Sequence, residues 1–180
     1  MHECLSLILV LGEVCQRMEL LMEEVAGETG IQPPNWAGDH LPLHIALHRP
    51  IATNQVTALV QIVEKAMQRT RRSEMILASN LCFSGGNIIL PVVMPLTVAS
   101  FWTEVTGQLR TLPGFQQEES DAESILCITI AKGVQPRSDW SQPKIQTLLT
   151  KLPRIPFCMT AVYQRPVTGG QWERAAAFQV

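Results

Sequence analysis

Two alternating stretches constrain this chain more than any other feature. In the first, 41–50, Leu43, Ile45 and Leu47 alternate with His44, Ala46 and His48. In the second, 124–133, Leu126, Ile128 and Ile130 alternate with Cys127, Thr129 and Ala131. A period of two marks a strand with one buried face. Each stretch therefore turns a row of small or polar side chains away from a core. Overlaid, His-Ile-Ala-Leu answers Cys-Ile-Thr-Ile across nearly half of the 180 residues.

The rest of the chain supplies elements around these strands. The apolar run 5–11, broken only by Ser6, reads as a central strand buried on both faces, ended by Gly12. Val14, Met18, Leu21, Met22 and Val25 recur at helical spacing, which predicts a helix over 13–28. A loop over 31–40, with Pro33, Pro34 and Trp36, leads into the first motif strand, and Pro50 stops it. Thr53 or Asn54 is placed to cap a second helix over 55–69, with Val56, Leu59, Val60, Val63 and Met67 as its stripe. The segments 74–83 and 87–94 read as a hairpin, with Pro91 requiring an edge position or a bulge. A third helix over 97–111 carries Val98, Phe101, Trp102, Val105 and Leu109. An acidic loop over 116–123 precedes the second motif strand. A loop over 133–141, a fourth helix over 143–152 and a final hairpin, 157–165 with 172–180, complete the order. This is an α+β pattern of mostly antiparallel sheets with helices outside. The length suits one domain over 1–180, and reading the chain in halves gives each lobe one motif strand.

Bulk properties exclude several classes of function. The hydrophobic share of 46% suffices for a packed core, and a net charge of −2 gives no global basic field for nucleic acid. Cys4, Cys15, Cys82, Cys127 and Cys158 are scattered and odd in number, which fits neither a disulfide framework nor a zinc site. The N-terminal apolar run is too short to span a bilayer and lacks a basic leader. A cytoplasmic monomer with no membrane contact is the expectation. His40, His44 and His48 fall at four-residue intervals, but Pro42 and the strand alternation exclude a helical metal ladder.

The paired motifs resemble those of the 2H phosphoesterase superfamily, which includes the bacterial 2′-5′ RNA ligases and the cyclic phosphodiesterases. Its members carry two His-x-Thr/Ser-x motifs on strands, one in each lobe of a two-lobed fold, facing a central cleft. The tail Cys127-Ile128-Thr129-Ile130-Ala131-Lys132-Gly133 reads like the second motif with one letter changed. The element order matches across nearly the whole chain. The departures are specific. His44 is kept, but Ala46 stands where a hydroxyl is expected; Thr129 is kept, but Cys127 stands where the second histidine is expected.

The resemblance implies a reaction without metal or cofactor on a 2′,3′-cyclic or 2′-5′ phosphodiester of RNA or a nucleotide. One histidine takes a proton from water, the other gives one to the leaving ribose oxygen, and the two hydroxyls hold the phosphate. Histidine suits both proton jobs near neutral pH. Here His44 is the candidate acid/base and Thr129 the candidate phosphate donor, with Cys127 in the place of the partner base. A cysteine of ordinary pKa, about 8.5, is roughly 97% thiol at pH 7. Candidate substrate contacts are Ala46, His48, Lys132, Tyr163 and Trp36, with Arg49, Arg137 and Trp140 as further rim residues. Three outcomes stay open: a phosphodiesterase of reduced rate, a module that binds a nucleotide or RNA end without reacting, or replacement of the missing partner by His48, about 13 Å along the strand from His44.

Overall fold

The computed structural model describes residues 1–30, 40–78, 80–84, 86–113, 115, 126–132 and 154–180. The expected helix over 143–152, the acidic loop, Trp36, Arg137 and Trp140 lie outside the described residues.

The first sheet is organised on β1 (His2–Leu9), which pairs on one side with β9 (Met159–Pro166) and on the other with β2 (His44–Ala46) and β3 (Ile51–Thr53). The edge strand β10 (Glu173–Gln179) pairs β9. All these pairings are antiparallel. A central strand covered on both faces needs apolar residues at successive positions, and β1 has them. Cys4 and Ile8 enter the main core, while Leu5, Leu7 and Leu9 join a second cluster with Leu41, Ala161, Tyr163 and Trp172.

The second sheet is organised on β6 (Asn87–Val93). One side of β6 pairs with β7 (Cys127–Lys132); the other pairs with β4 (Ser73–Leu77) and β5 (Cys82–Ser84) in turn. The edge strand β8 (Ile155–Phe157) pairs β4. The expected arm 74–83 is thus broken into two strands. Pro91 sits in the middle of the central strand rather than at an edge, and the register shift of this ladder falls between Ile88 and Ile89. The reason lies in where its missing donor points. Val92 N–H donates to Leu126 O toward β7, so Pro91 faces the other way, and its carbonyl accepts from Ala78 N–H. The absent N–H falls at the break between β4 and β5, where the ladder is already interrupted.

Three described helices cover the sheets: α1 (Gly12–Thr29), α2 (Val56–Arg69) and α3 (Leu96–Leu109). Leu59, Val63 and Met67 of α2 are buried as the helical stripe requires, together with Ile62 and Ala66. On α3, Val98, Phe101, Val105 and Leu109 are buried. The Phe101 ring packs on Phe157, with centroids 5.1 Å apart. The half-buried Trp102 donates its indole N–H to Leu47 O at 3.1 Å, which ties α3 to the segment following β2.

The lobes are not the two halves of the chain. The first sheet takes its strands from both ends of the sequence and the second from the middle. Between β8 and β9 a single residue, Cys158, carries the chain from one sheet to the other.

Candidate active site

The first motif contributes only three residues of regular strand, His44–Ala46. The strand expected near 43–49 is shorter because the turn before β3 interrupts the pairing with β1. Two main-chain bonds flank it: Val10 N–H to Leu43 O at 3.1 Å and Leu47 N–H to Ser6 O at 2.9 Å. Directly paired residues of an antiparallel ladder point to one face. His44 pairs with Leu9 and Ala46 with Leu7, so both lie on the face of the second apolar cluster. Ile45 points the other way and is fully buried in the main core.

His44 is 8% exposed, and its Nδ1 lies 2.7 Å from Pro42 O. A carbonyl only accepts, so Nδ1 carries the proton and Nε2 carries the lone pair. Burial pushes the His44 pKa below the ordinary imidazole value; the Pro42 bond opposes this, and the nearby positive charge of Lys132 adds to it. The result is a neutral imidazole in the tautomer that serves as a base through Nε2.

The second motif is shaped by a bulge. Ile89 pairs with Thr129 and Ile88 with Ala131, so β7 holds one residue more than its partner at Ile130. Before the bulge, Cys127 and Thr129 are half-buried on one face, and Ile128 and Ile130 are fully buried on the other. Strict alternation places Ala131 beside Thr129 and turns Lys132 into the core. The bulge reverses this: Ala131 is buried opposite Ile88, and Lys132, opposite Asn87, emerges on the face of Cys127 and Thr129. The sequence pattern shows the alternation but not the extra residue.

Residues of β2 and β7 approach within 8 Å between Cα atoms, so the two motif strands meet where the sheets adjoin. Among the described residues the Thr129 hydroxyl and the Cys127 thiol have no hydrogen-bond partner. Burial, and then the neighbouring Cys82, push the Cys127 pKa up, so the group is a thiol at neutral pH. Cys82 reaches this face because it pairs with Ile89, the partner of Thr129. Neither Cys82 nor Pro42 stands out in the sequence, since pairing across strands and a backbone carbonyl give both their roles.

The other candidates are placed differently. Both His48 ring nitrogens meet main chain: Nε2 accepts from Ser6 N–H at 3.2 Å and Nδ1 lies 2.7 Å from Arg49 O. The ring stands in for a strand carbonyl where the β1 ladder passes from β2 to β3. Tyr163 pairs with Leu5, on the same face as His44 but four residues along β1 from Leu9, which is about 13 Å. It is 8% exposed and packs in the second cluster. Ala46 is exposed, so the small side chain leaves room beside His44. Among the described residues no group of three His, Cys, Asp or Glu side chains is placed to hold a metal ion, and no helix is long and apolar enough to cross a membrane.

Two antiparallel sheets, each carrying one motif strand, with the strands meeting at their junction, make a fold like that of E. coli LigT. Among solved structures the chain is similar to E. coli LigT complexed with 3′-AMP, with a TM-score of 0.67 and 10% identity over 99% of this chain and 98% of that one. It is similar to a phosphoesterase with a TM-score of 0.69 and 10% identity over 100% and 99% of the two chains. Kluyveromyces marxianus Usb1 follows with a TM-score of 0.56 and 13% identity over 96% of each. At these identities the likeness is one of fold. No family model matches the sequence, and no curated protein matches it significantly.

Proposed function

We propose that this chain is a 2H-type phosphoesterase acting on a 2′,3′-cyclic or 2′-5′ phosphodiester of RNA or a nucleotide, at a rate below that of a site with two histidines. The observation that carries the reading is the meeting of β2 and β7, with a neutral His44 in the field of Lys132 and a Thr129 hydroxyl on the Lys132 face. In this reading His44 Nε2 takes the proton of the attacking water. The Thr129 hydroxyl donates to a non-bridging phosphate oxygen, and the Lys132 ammonium offsets the negative charge that develops there. The similar LigT structures with 3′-AMP and with phosphate support a nucleotide or its phosphate as the ligand class. The test is turnover of 2′,3′-cyclic nucleotides and 2′-5′ oligonucleotides by the wild type beside His44→Ala. Loss of one acid/base group costs about 10²–10⁴ in rate; equal rates in the two proteins remove the assignment.

Ala46 and Cys127 favour a second reading, in which the site binds a nucleotide or RNA end without reacting. Calorimetry with 3′-AMP and short RNAs distinguishes it: heat of binding without turnover selects this reading, and flat traces dismiss it.

A further inference from the structure

We propose that the open face of β6 is a second subsite, which seats the bases of an oligonucleotide whose phosphate is held at Thr129. On the phosphoesterase reading given above, this narrows the substrate to a chain of two or more nucleosides. Strand pairing fixes a row of side chains there. Ile89 pairs with Thr129, Pro91 with Cys127 and Val93 with Ile76, so all six lie on one face of the second sheet. The opposite face, with Ile88, Leu90 and Val92, is buried in the main core. An antiparallel sheet with one face on a core ordinarily alternates apolar inward with polar outward. β6 departs from this: Ile89 and Pro91 are half-buried, and Val93 is 56% exposed, with Ile76 beside it at 48%.

The row runs from charged to aliphatic. At one end Lys132 stands opposite Asn87, and Thr129 follows. Pro91 is the diagonal neighbour of Thr129, about 7–8 Å away. Val93 lies four residues along β6 from Ile89, about 13 Å. Among the described residues of this face, no charged side chain stands between Lys132 and Glu74, which is ion-paired with Arg154 at 3.1 Å. A ligand with an anionic phosphate and uncharged planar rings matches this order. Its phosphate sits at the cation, and its rings leave water over the aliphatic side chains. One nucleoside held by its phosphate at Thr129 covers Pro91, and a second reaches Val93 and Ile76. None of these side chains carries a donor or acceptor, so the strip responds to base area and not to base identity.

A protein partner is the other candidate occupant. Four aliphatic side chains, two of them already half-buried, present on the order of a few hundred Å² at most. A stable interface buries about 800 Å² on each partner, so the strip suits a small ligand rather than a second copy of this chain.

The experiment is calorimetry on the full chain with two probes, 3′-AMP and the 2′-5′ dinucleotide ApA in its slowly cleaved phosphorothioate form. The dinucleotide binds about tenfold more tightly than 3′-AMP. The double variant Ile76→Thr, Val93→Thr keeps β-branched residues at this exposed pair and loses that tenfold. Its affinity for 3′-AMP stays that of wild type, which reports an intact fold and phosphate site. Equal affinities of wild type for the two probes, a dinucleotide preference that survives the double variant, or a double variant that loses both ligands alike overturns the subsite and leaves the phosphoesterase reading in place. A wild type that sediments as a dimer beside a monomeric double variant gives the face to a second copy and also overturns it. A wild type that binds neither probe and hydrolyses no 2′,3′-cyclic nucleotide removes that reading and this inference together.

Discussion

Replacing Thr129 by valine separates the proposed chemistry from the stability of the fold. The two side chains have nearly the same shape, and valine is at least as well suited to a strand. Thr129 is half-buried, and among the described residues its hydroxyl makes no hydrogen bond, so no native contact is lost. The melting temperature is therefore expected within about 2 °C of wild type, the shift that roughly 0.5 kcal/mol produces in a chain of this size. A hydrogen bond to a charged group contributes about 1.5–3 kcal/mol. At about 1.4 kcal/mol per factor of ten, kcat/KM for 2′,3′-cyclic AMP is expected to fall roughly 10- to 150-fold. Steady-state kinetics and differential scanning calorimetry on the same preparation give both numbers. A kcat/KM within threefold of wild type, with the melting temperature unchanged, refutes the idea that Thr129 holds the phosphate.

Four further outcomes follow from the same structure. The acid limb of the pH–rate profile is set by His44, whose pKa lies below the ordinary imidazole value, so activity persists on acidification past pH 6.5 before it declines. The same group makes the fold less stable in acid: the unfolded chain takes up the proton first, so its contribution is present above pH 6.5 and lost as pH falls toward the folded pKa, which urea titrations across that window will register. Ala46→Thr adds a hydroxyl at an exposed position on the His44 face and is expected to raise kcat/KM severalfold with little change in melting temperature; no gain argues that a phosphate does not reach β2. Phe157→Ala removes a fully buried ring packed on Phe101 at the exchange point between sheets, and denaturant melts are expected to show a loss of about 3–5 kcal/mol; a loss below about 1 kcal/mol contradicts the burial of the ring.

Most elements of this fold are legible in the sequence because their signals are local. The spacing of Leu59, Val63 and Met67 marks α2, and the apolar run from Leu5, broken only by Ser6, marks a strand covered on both faces. The alternation around His44 and Cys127 marks the two strands that meet at the candidate site. These patterns are written residue by residue, and the periods of 3.6 and 2 follow from backbone geometry alone.

Pairing between strands decided the rest. Nothing in the sequence reports that Ile130 is an extra residue, because a bulge exists only relative to the partner strand; yet it is the bulge that brings Lys132 onto the Thr129 face. His48 shares the alternating row of His44, but its ring accepts from Ser6 N–H, a donor that the turn into β3 leaves without a strand partner. The lobes draw on both ends of the chain because β9 completes the sheet that β1 begins. A donor, an acceptor or a register has meaning only across a contact, and contacts between distant residues form only when the whole chain has folded.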